Sequence, residues 1–490
     1  MKHLTASVMT CALLAAGLLA LVSCGSSEVQ TPADTEASTA SAAETAEPED
    51  TYQYPELDLG GADFTILNTE QEYSFYTTLD LEATTGDGLD DAVYERNRLL
   101  EQKFNFKMKI VSDYLYDAAA TALQTSVLAQ DNAYDAAFIR DYYMATPITE
   151  GYVLDMSECE QLHFDQPWWD TASIEQARLG STRKIMYAFT DISFADFEGT
   201  ICCFFNERLL TNLDLELPYQ MVLDGTWTLD KMNEIMSVGM NLNGDSSYAW
   251  SSTGLATYGL LSWDQCTDSL MIGADLDYFT IDKNNEVVLA AEGEKFMTRA
   301  MKVIDMLSTD GKYLHINNSG DDHYEMAFKH GRSMMMVAEL KASNKYRDMD
   351  DAFGIVPMPK YDEAQENYRN LRGYTYVMCI PSTCPDLSKV GTVMDAMSYL
   401  TYKDVMPYFY NSHLSQKMLR NEESVQMLDI IRQTRYNDVG VPFGAADIIR
   451  PIFRNAITTK NTDLVSAVEK QRKNIEKKLT DAMDALNSVD

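Results

Sequence analysis

The chain has 490 residues, 46% of them hydrophobic, with 75 acidic against 39 basic side chains and a formal net charge of −36. That hydrophobic share suits a globular protein and excludes wholesale disorder. So acidic a surface repels phosphate backbones and anionic headgroups, which argues against nucleic acid as a partner and against polybasic docking on a membrane.

Lys2 supplies a positive start, and Val8 to Val22 carry no charge. The run is short for a membrane span, so a cleaved secretory signal over residues 1–23 is expected. Leu21-Val22-Ser23-Cys24 at its end resembles the lipobox of bacterial lipoproteins. The resemblance implies that Cys24 becomes the lipidated first residue of an extracytoplasmic protein on the outer face of the cell membrane; an ordinary signal with a coincidental Cys is the alternative. Residues 24–51, rich in Ala, Ser, Thr, Glu and Pro and free of aromatics, read as a disordered tether. The chain beyond the tether is too long for one compact core and suits two or three lobes.

From Tyr52 onward the pattern alternates. Phe64 to Leu67 reads as a strand, and the helix after Gly86-Asp87-Gly88 gathers Leu89, Ala92, Val93, Leu99 and Leu100 on one side. Phe104 to Val111 has the period of two of a half-buried strand, Ala118 to Gln130 reads as a helix, and Tyr134 to Ile139 as a strand. Strand, helix, strand, helix, strand predicts a mainly parallel sheet, with ligands beyond the carboxyl ends of its strands. That rule points at Glu70 to Tyr73, and at Arg140, Asp141 and Tyr142.

Pro167 is expected at a first helical position, with Trp168 and Trp169 packing from that helix. Strands are expected at Ile185 to Phe189, Ile201 to Phe205, Met334 to Ala338, Phe353 to Pro359 and Tyr374 to Ile380. Thr228 is expected to cap a helix ending at Gly239, with Trp227 in the core. Residues 241–285 read as loops, Gly293 to Leu307 as a helix, and the chain after Ile380 and Pro381 as helical to its end. The last helix carries an apolar stripe of Leu464, Val468, Ile475, Leu479, Met483 and Leu486, and places Glu469 and Lys473 at i, i+4. Six cysteines remain after Cys11 and Cys24. They read as buried thiols, with Cys379 and Cys384 placed to close a small loop across Pro381.

Several stretches together resemble the family 1 extracellular solute-binding proteins, the carbohydrate-capturing subunits of ABC importers. They are Asp90 to Asn97, Phe205-Asn206-Glu207-Arg208-Leu209-Leu210, Gly225-Thr226-Trp227-Thr228, Phe328 with Gly331 and Met334-Met335-Met336, Phe353 to Glu363, and Glu422 to Ile431. The resemblance spans the mature chain. It implies a two-lobed α/β periplasmic-binding-protein-like fold of type II, each lobe a mixed sheet flanked by helices, with a cleft between. The implied division is 52–192 with 326–374 as the N-terminal lobe and 193–325 with 375–490 as the C-terminal lobe. Crossings are expected near Asp191 to Phe194, Met326 to Glu339 and Tyr374 to Ile380.

A sugar offers hydroxyls in many directions and an apolar face, so its site wants planar polar side chains and an aromatic platform. Strand ends and crossings supply Asp141, Tyr142, Asp191, Phe194, Glu339, Arg372 and Tyr374, and the second lobe's loops supply Trp250 and Trp263 for stacking. Each is equally a residue type that serves in packing or ion pairing. No His-Glu-x-x-His spacing appears although His315, His323 and His330 cluster loosely, and no Gly-x-Ser-x-Gly elbow is present, so neither metal nor catalysis is expected. The expected function is a monomeric, cofactor-free, lipid-anchored receptor that closes on a carbohydrate and delivers it to an ABC permease. The alternative is a surface-attached carbohydrate-binding or adhesion lipoprotein without a transport role.

Overall fold

A computed structural model describes residues 52–70, 75–315, 324–410 and 421–488. Cys24, the signal and the tether lie outside the described residues, as do Gln71 to Tyr73, His323 and His413. Ala62–Glu70 (β1), Phe106–Leu115 (β2) and Ala136–Arg140 (β3) start the first sheet, with β1 parallel to both neighbours through Ile66↔Ile110 and Ile66↔Ala136. Between them run helices Gly88–Phe104 (α1) and Asp117–Ala129 (α2). Asp87 caps α1 by accepting from the Leu89 N–H at 3.1 Å, and Asn105 ends it in the left-handed region at φ 49°. Phe104 therefore belongs to the helix, and the expected strand begins two residues later.

The second sheet holds Ile201–Asn206 (β4), Tyr258–Ser262 (β5), Tyr313–His315 (β6), Ser333–Glu339 (β7) and Phe353–Val356 (β8), in the order β6-β5-β7-β4-β8. The chain then returns to the first sheet with Tyr376–Cys379 (β9), antiparallel to β3 through Tyr376↔Arg140. β4 is likewise antiparallel to both neighbours. In each sheet, then, the strand entered directly from a crossing is the one that runs against its parallel neighbours. Every residue of β4 and β7 is buried, the unbroken apolar reading of strands covered on both faces.

This pairing corrects the expected lobe boundaries. β7 and β8 lie within 326–374 but pair with β4 in the second sheet, and β9 lies within 375–490 but pairs in the first. No crossing occurs at Met326 to Glu339, because β6, β7 and β8 are successive members of one sheet. The two crossings before and after the second sheet lie side by side instead. Thr200 bridges Arg372, and the Gly373 N–H donates to the Gly199 carbonyl at 3.0 Å. A Cβ on Gly199 would come within 2.9 Å of the Tyr374 Cβ, so this close approach requires glycine.

Other expectations shift locally. Residues 241–285, which follow helix Leu229–Gly239 (α3), contain β5 and helix Gln265–Gly273 (α4), both buried except for Gln265, which a reading by loop composition misses. Ile185 to Phe189 is not one strand: Lys184–Ile185 pairs with Arg178–Leu179, and Ala188 makes an isolated bridge to Met378. Glu469 pairs with Arg472 at 2.7 Å. All six cysteines are free thiols, Cys379 and Cys384 included, and five are buried. The apolar stripe of the final helix, Leu464–Ser488, is buried as its spacing predicts, and Trp227 is fully buried with its indole N–H on the Pro357 carbonyl at 2.9 Å. No described helix is long and apolar enough to cross a membrane.

Pro167 to Trp169 form a turn ahead of a helix that starts at Thr171, capped by Asp170. The turn serves a buried carboxylate. Asp395, on Leu387–Leu400 (α5), accepts from the Trp168 and Trp169 indoles at 3.0 and 2.8 Å, the His163 N–H at 3.0 Å and the Tyr52 hydroxyl at 3.0 Å, with His163 Nδ1 at 2.7 Å. Asp395→Ala leaves the buried Trp169 indole N–H unpaired at a cost of about 1–3 kcal/mol, with the half-buried Trp168 indole adding less. The urea midpoint is expected to fall accordingly; an unchanged midpoint contradicts this clamp.

Candidate functional site

β3 ends where β9 begins, because the Asp141 N–H donates to the Thr375 carbonyl at 2.9 Å. The first lobe's strand-end residues thus lie against the second crossing. A cavity of about 500 Å³ opens there, within the range of small-molecule sites. Its lining includes Arg140, Asp141, Tyr142, Gln265, Arg372 and Asn437. The rest of its charge comes from Asp438 and from Asp447, Arg450 and Arg454 of helix Ala446–Thr459 (α6), at i, i+3 and i+7 along one helix face. Arg454 also lines a neighbouring cavity of about 240 Å³ with Asp264, Thr267 and His315.

Most charges in the lining are already spoken for. Arg450 pairs with Asp438 at 2.9 Å, and Arg454 donates to Asp268 at 2.9 Å. Burial pushes the Asp141 carboxyl up to about 6, against the pull of Arg140 and the Tyr142 N–H. Burial raises Asp438 as well, again opposed by Arg450. The Arg140 guanidinium lies over the Tyr374 ring at 4.4 Å and the Tyr142 ring at 5.5 Å, which makes a cationic and aromatic wall.

Behind this wall sits a buried ion cluster that ties the crossings together. Arg372, 2% exposed at its side chain, pairs with Asp170 and with Asp196 at 2.9 Å. Arg435 lies 3.0 Å from Asp196 and 3.4 Å from Asp191. Burial works against ionised Asp170, yet Arg372 and Arg435 hold it well below the usual carboxylate range. Burial prevails at Asp196, which is raised despite the same two arginines.

Of the expected site residues, Asp141, Tyr142 and Arg372 line the cavity, and Tyr374 adjoins it through Arg140. Asp191 belongs to the ion cluster. Phe194 does not line the cavity: it is buried and stacks on Phe409, with ring centroids 4.4 Å apart. Trp250 packs under Arg332 at 4.4 Å, beside Tyr258. Trp263 sits just past β5, its carbonyl accepting from the Tyr313 hydroxyl at 3.3 Å, and Glu339 is buried at the end of β7; neither lines this cavity. Gln265, Asn437, Asp447, Arg450 and Arg454 were not expected, although the spacing of the last three on one helix face was a usable signal. Among the described residues no group of His, Cys, Asp or Glu is placed to hold a metal ion.

Two outcomes test this geometry. Arg372→Ala strips a buried partner from two carboxylates and is expected to cost about 3–5 kcal/mol in chemical denaturation. The raised Asp141 binds its proton more tightly folded than unfolded, so its contribution to stability grows as pH falls from about 6 towards about 4. Asp141→Asn should remove that part of the pH–stability slope.

No family model matches the sequence, and no curated protein matches it. Solved structures do. An ABC substrate-binding protein from Listeria monocytogenes in complex with cycloalternan aligns at TM-score 0.55 and 10% identity, over 86% of this chain and 99% of that one. An ABC transporter solute-binding protein from Thermotoga lettingae bound with α-D-tagatose aligns at 0.53 and 14%, over 86% and 100%. The apo form of RafE from Streptococcus pneumoniae aligns at 0.51 and 14%, over 89% and 100%. At such identities the likeness is one of architecture: the chain has the two-lobed α/β fold of ABC solute-binding proteins.

Proposed function

We propose that this protein is a carbohydrate-capturing receptor of an ABC importer, lipid-anchored through Cys24, which binds its ligand without making or breaking a bond. The observation that carries the reading is the position of the cavity. It is bounded by first-lobe residues at the end of β3, by Gln265 of the second lobe, and by the crossing at Leu371 to Gly373. A ligand there touches both lobes at their junction, which is what closure about a hinge requires. Gln265, Asn437 and Tyr142 are side chains suited to hydroxyls and an aromatic platform, and the fold neighbours hold sugars such as cycloalternan and tagatose. Delivery to a permease belongs to the same reading.

Calorimetric titration with mono- and oligosaccharides should yield saturable binding, and small-angle scattering should show a more compact particle with ligand. Silence across a broad panel, or binding with no compaction, overturns the receptor. Cys24→Ala should release the protein from membranes or leave its precursor unprocessed; unchanged membrane retention overturns the lipid anchor.

A further inference from the structure

We propose that the occupant of the cavity is an acidic saccharide, a sugar bearing a carboxylate among its hydroxyls. This rests on the receptor reading and specifies its ligand. The starting point is Arg140. Its guanidinium lies over two tyrosine rings, its buried Nε has no hydrogen-bond partner, and it makes no ion pair among the described residues. Arg372 adds to it. That side chain is almost wholly buried, yet its Nε is unpartnered and its Nη1, although 2.9 Å from Asp196, is not aligned for a hydrogen bond. Arg450 Nε is unpartnered as well. Buried guanidinium N–H groups left without partners along one wall, with Arg140 in no ion pair, mark a local preference for an anion inside a protein of net charge −36. Planar guanidinium groups match a carboxylate better than a lone hydroxyl, and the resulting bonds are charge-assisted.

The carboxylates that share the cavity do not fill this role. Asp438 is taken by Arg450 and the Gly440 N–H, burial and the charge of Asp447 push the Tyr142 hydroxyl up so that Asp447 faces a protonated phenol, and Asp141 accepts from the Tyr142 N–H. The remaining unmet groups are of another kind. The side-chain amides of Gln265 and Asn437 each leave a buried oxygen without a partner, and both line the cavity. Amides answer hydroxyls, the guanidinium groups answer a carboxylate, and the tyrosines answer the C–H face of a ring. A uronic acid or its oligomers present all three.

The test compares matched probes by titration calorimetry: D-glucuronate and D-galacturonate and their oligomers, the methyl esters of the two acids, and the neutral glucose and galactose series. At low ionic strength the acid should bind about tenfold tighter than its ester or its neutral counterpart, and the preference should shrink as salt is raised. In Arg140→Gln, shown by circular dichroism to be folded, the acid-to-neutral ratio should collapse towards one. Neutral sugars binding as tightly as the acids would overturn the acidic assignment and leave the sugar receptor standing. An acid preference untouched by Arg140→Gln would overturn the role of Arg140. Failure of every saccharide to bind would take down both readings together.

Discussion

The structure depends on one arrangement of charge: Asp170, Asp191 and Asp196 packed against Arg372 and Arg435 where the chain passes between its two larger sheets. Removing five ionised groups from water is expensive, and their mutual attraction repays that only with good geometry. Such a cluster is therefore poor evidence of stability and better evidence of positioning. Its members come from a first-lobe loop, the first crossing, the second crossing and the segment after Glu422–Gln433. A misplacement of any one leaves a buried charge without its partner. The opposite displacements of Asp170 and Asp196 show how finely the balance is set within a few ångströms.

The cavity inherits its order from this cluster. Arg372 faces the cluster and the cavity at once, so the residue that orders the crossing also borders that space. The paired glycines at 199 and 373 let the two backbones run in contact, and the Asp141–Thr375 hydrogen bond fixes the end of β3 to the same strand. In the proposed receptor, recognition and hinge would therefore share residues. Specificity would then rest on polar atoms left without partners beside the cluster, chiefly those of Arg140 and the amides of Gln265 and Asn437.

Local pattern made much of the fold legible. The unbroken apolar runs of β4 and β7 and the stripe of the last helix stand where the spacing placed them, and the period of two in β2 holds from Phe106, two residues later than expected, because periodicity reports burial directly. Partnership between strands was not legible. β7 and β9 look alike as short apolar runs, and only long-range pairing assigns one to each sheet. The candidate site divides the same way. Asp141, Tyr142 and Arg372 follow from the strand-end and crossing rules, whereas Phe194 satisfied the same rules and turned inward onto Phe409, since sequence position does not fix the direction of a side chain. Asp447, Arg450 and Arg454 reach the cavity from a helix far along the chain, and their contribution depends on docking that local pattern does not encode.

The five contacts around Asp395 carry a mechanical meaning. Tyr52 opens the described chain, and its hydroxyl is held by a carboxylate on α5, which packs on α1 beside the first sheet. Tension arriving from the amino-terminal side is therefore taken up first by α5, α1 and the first sheet.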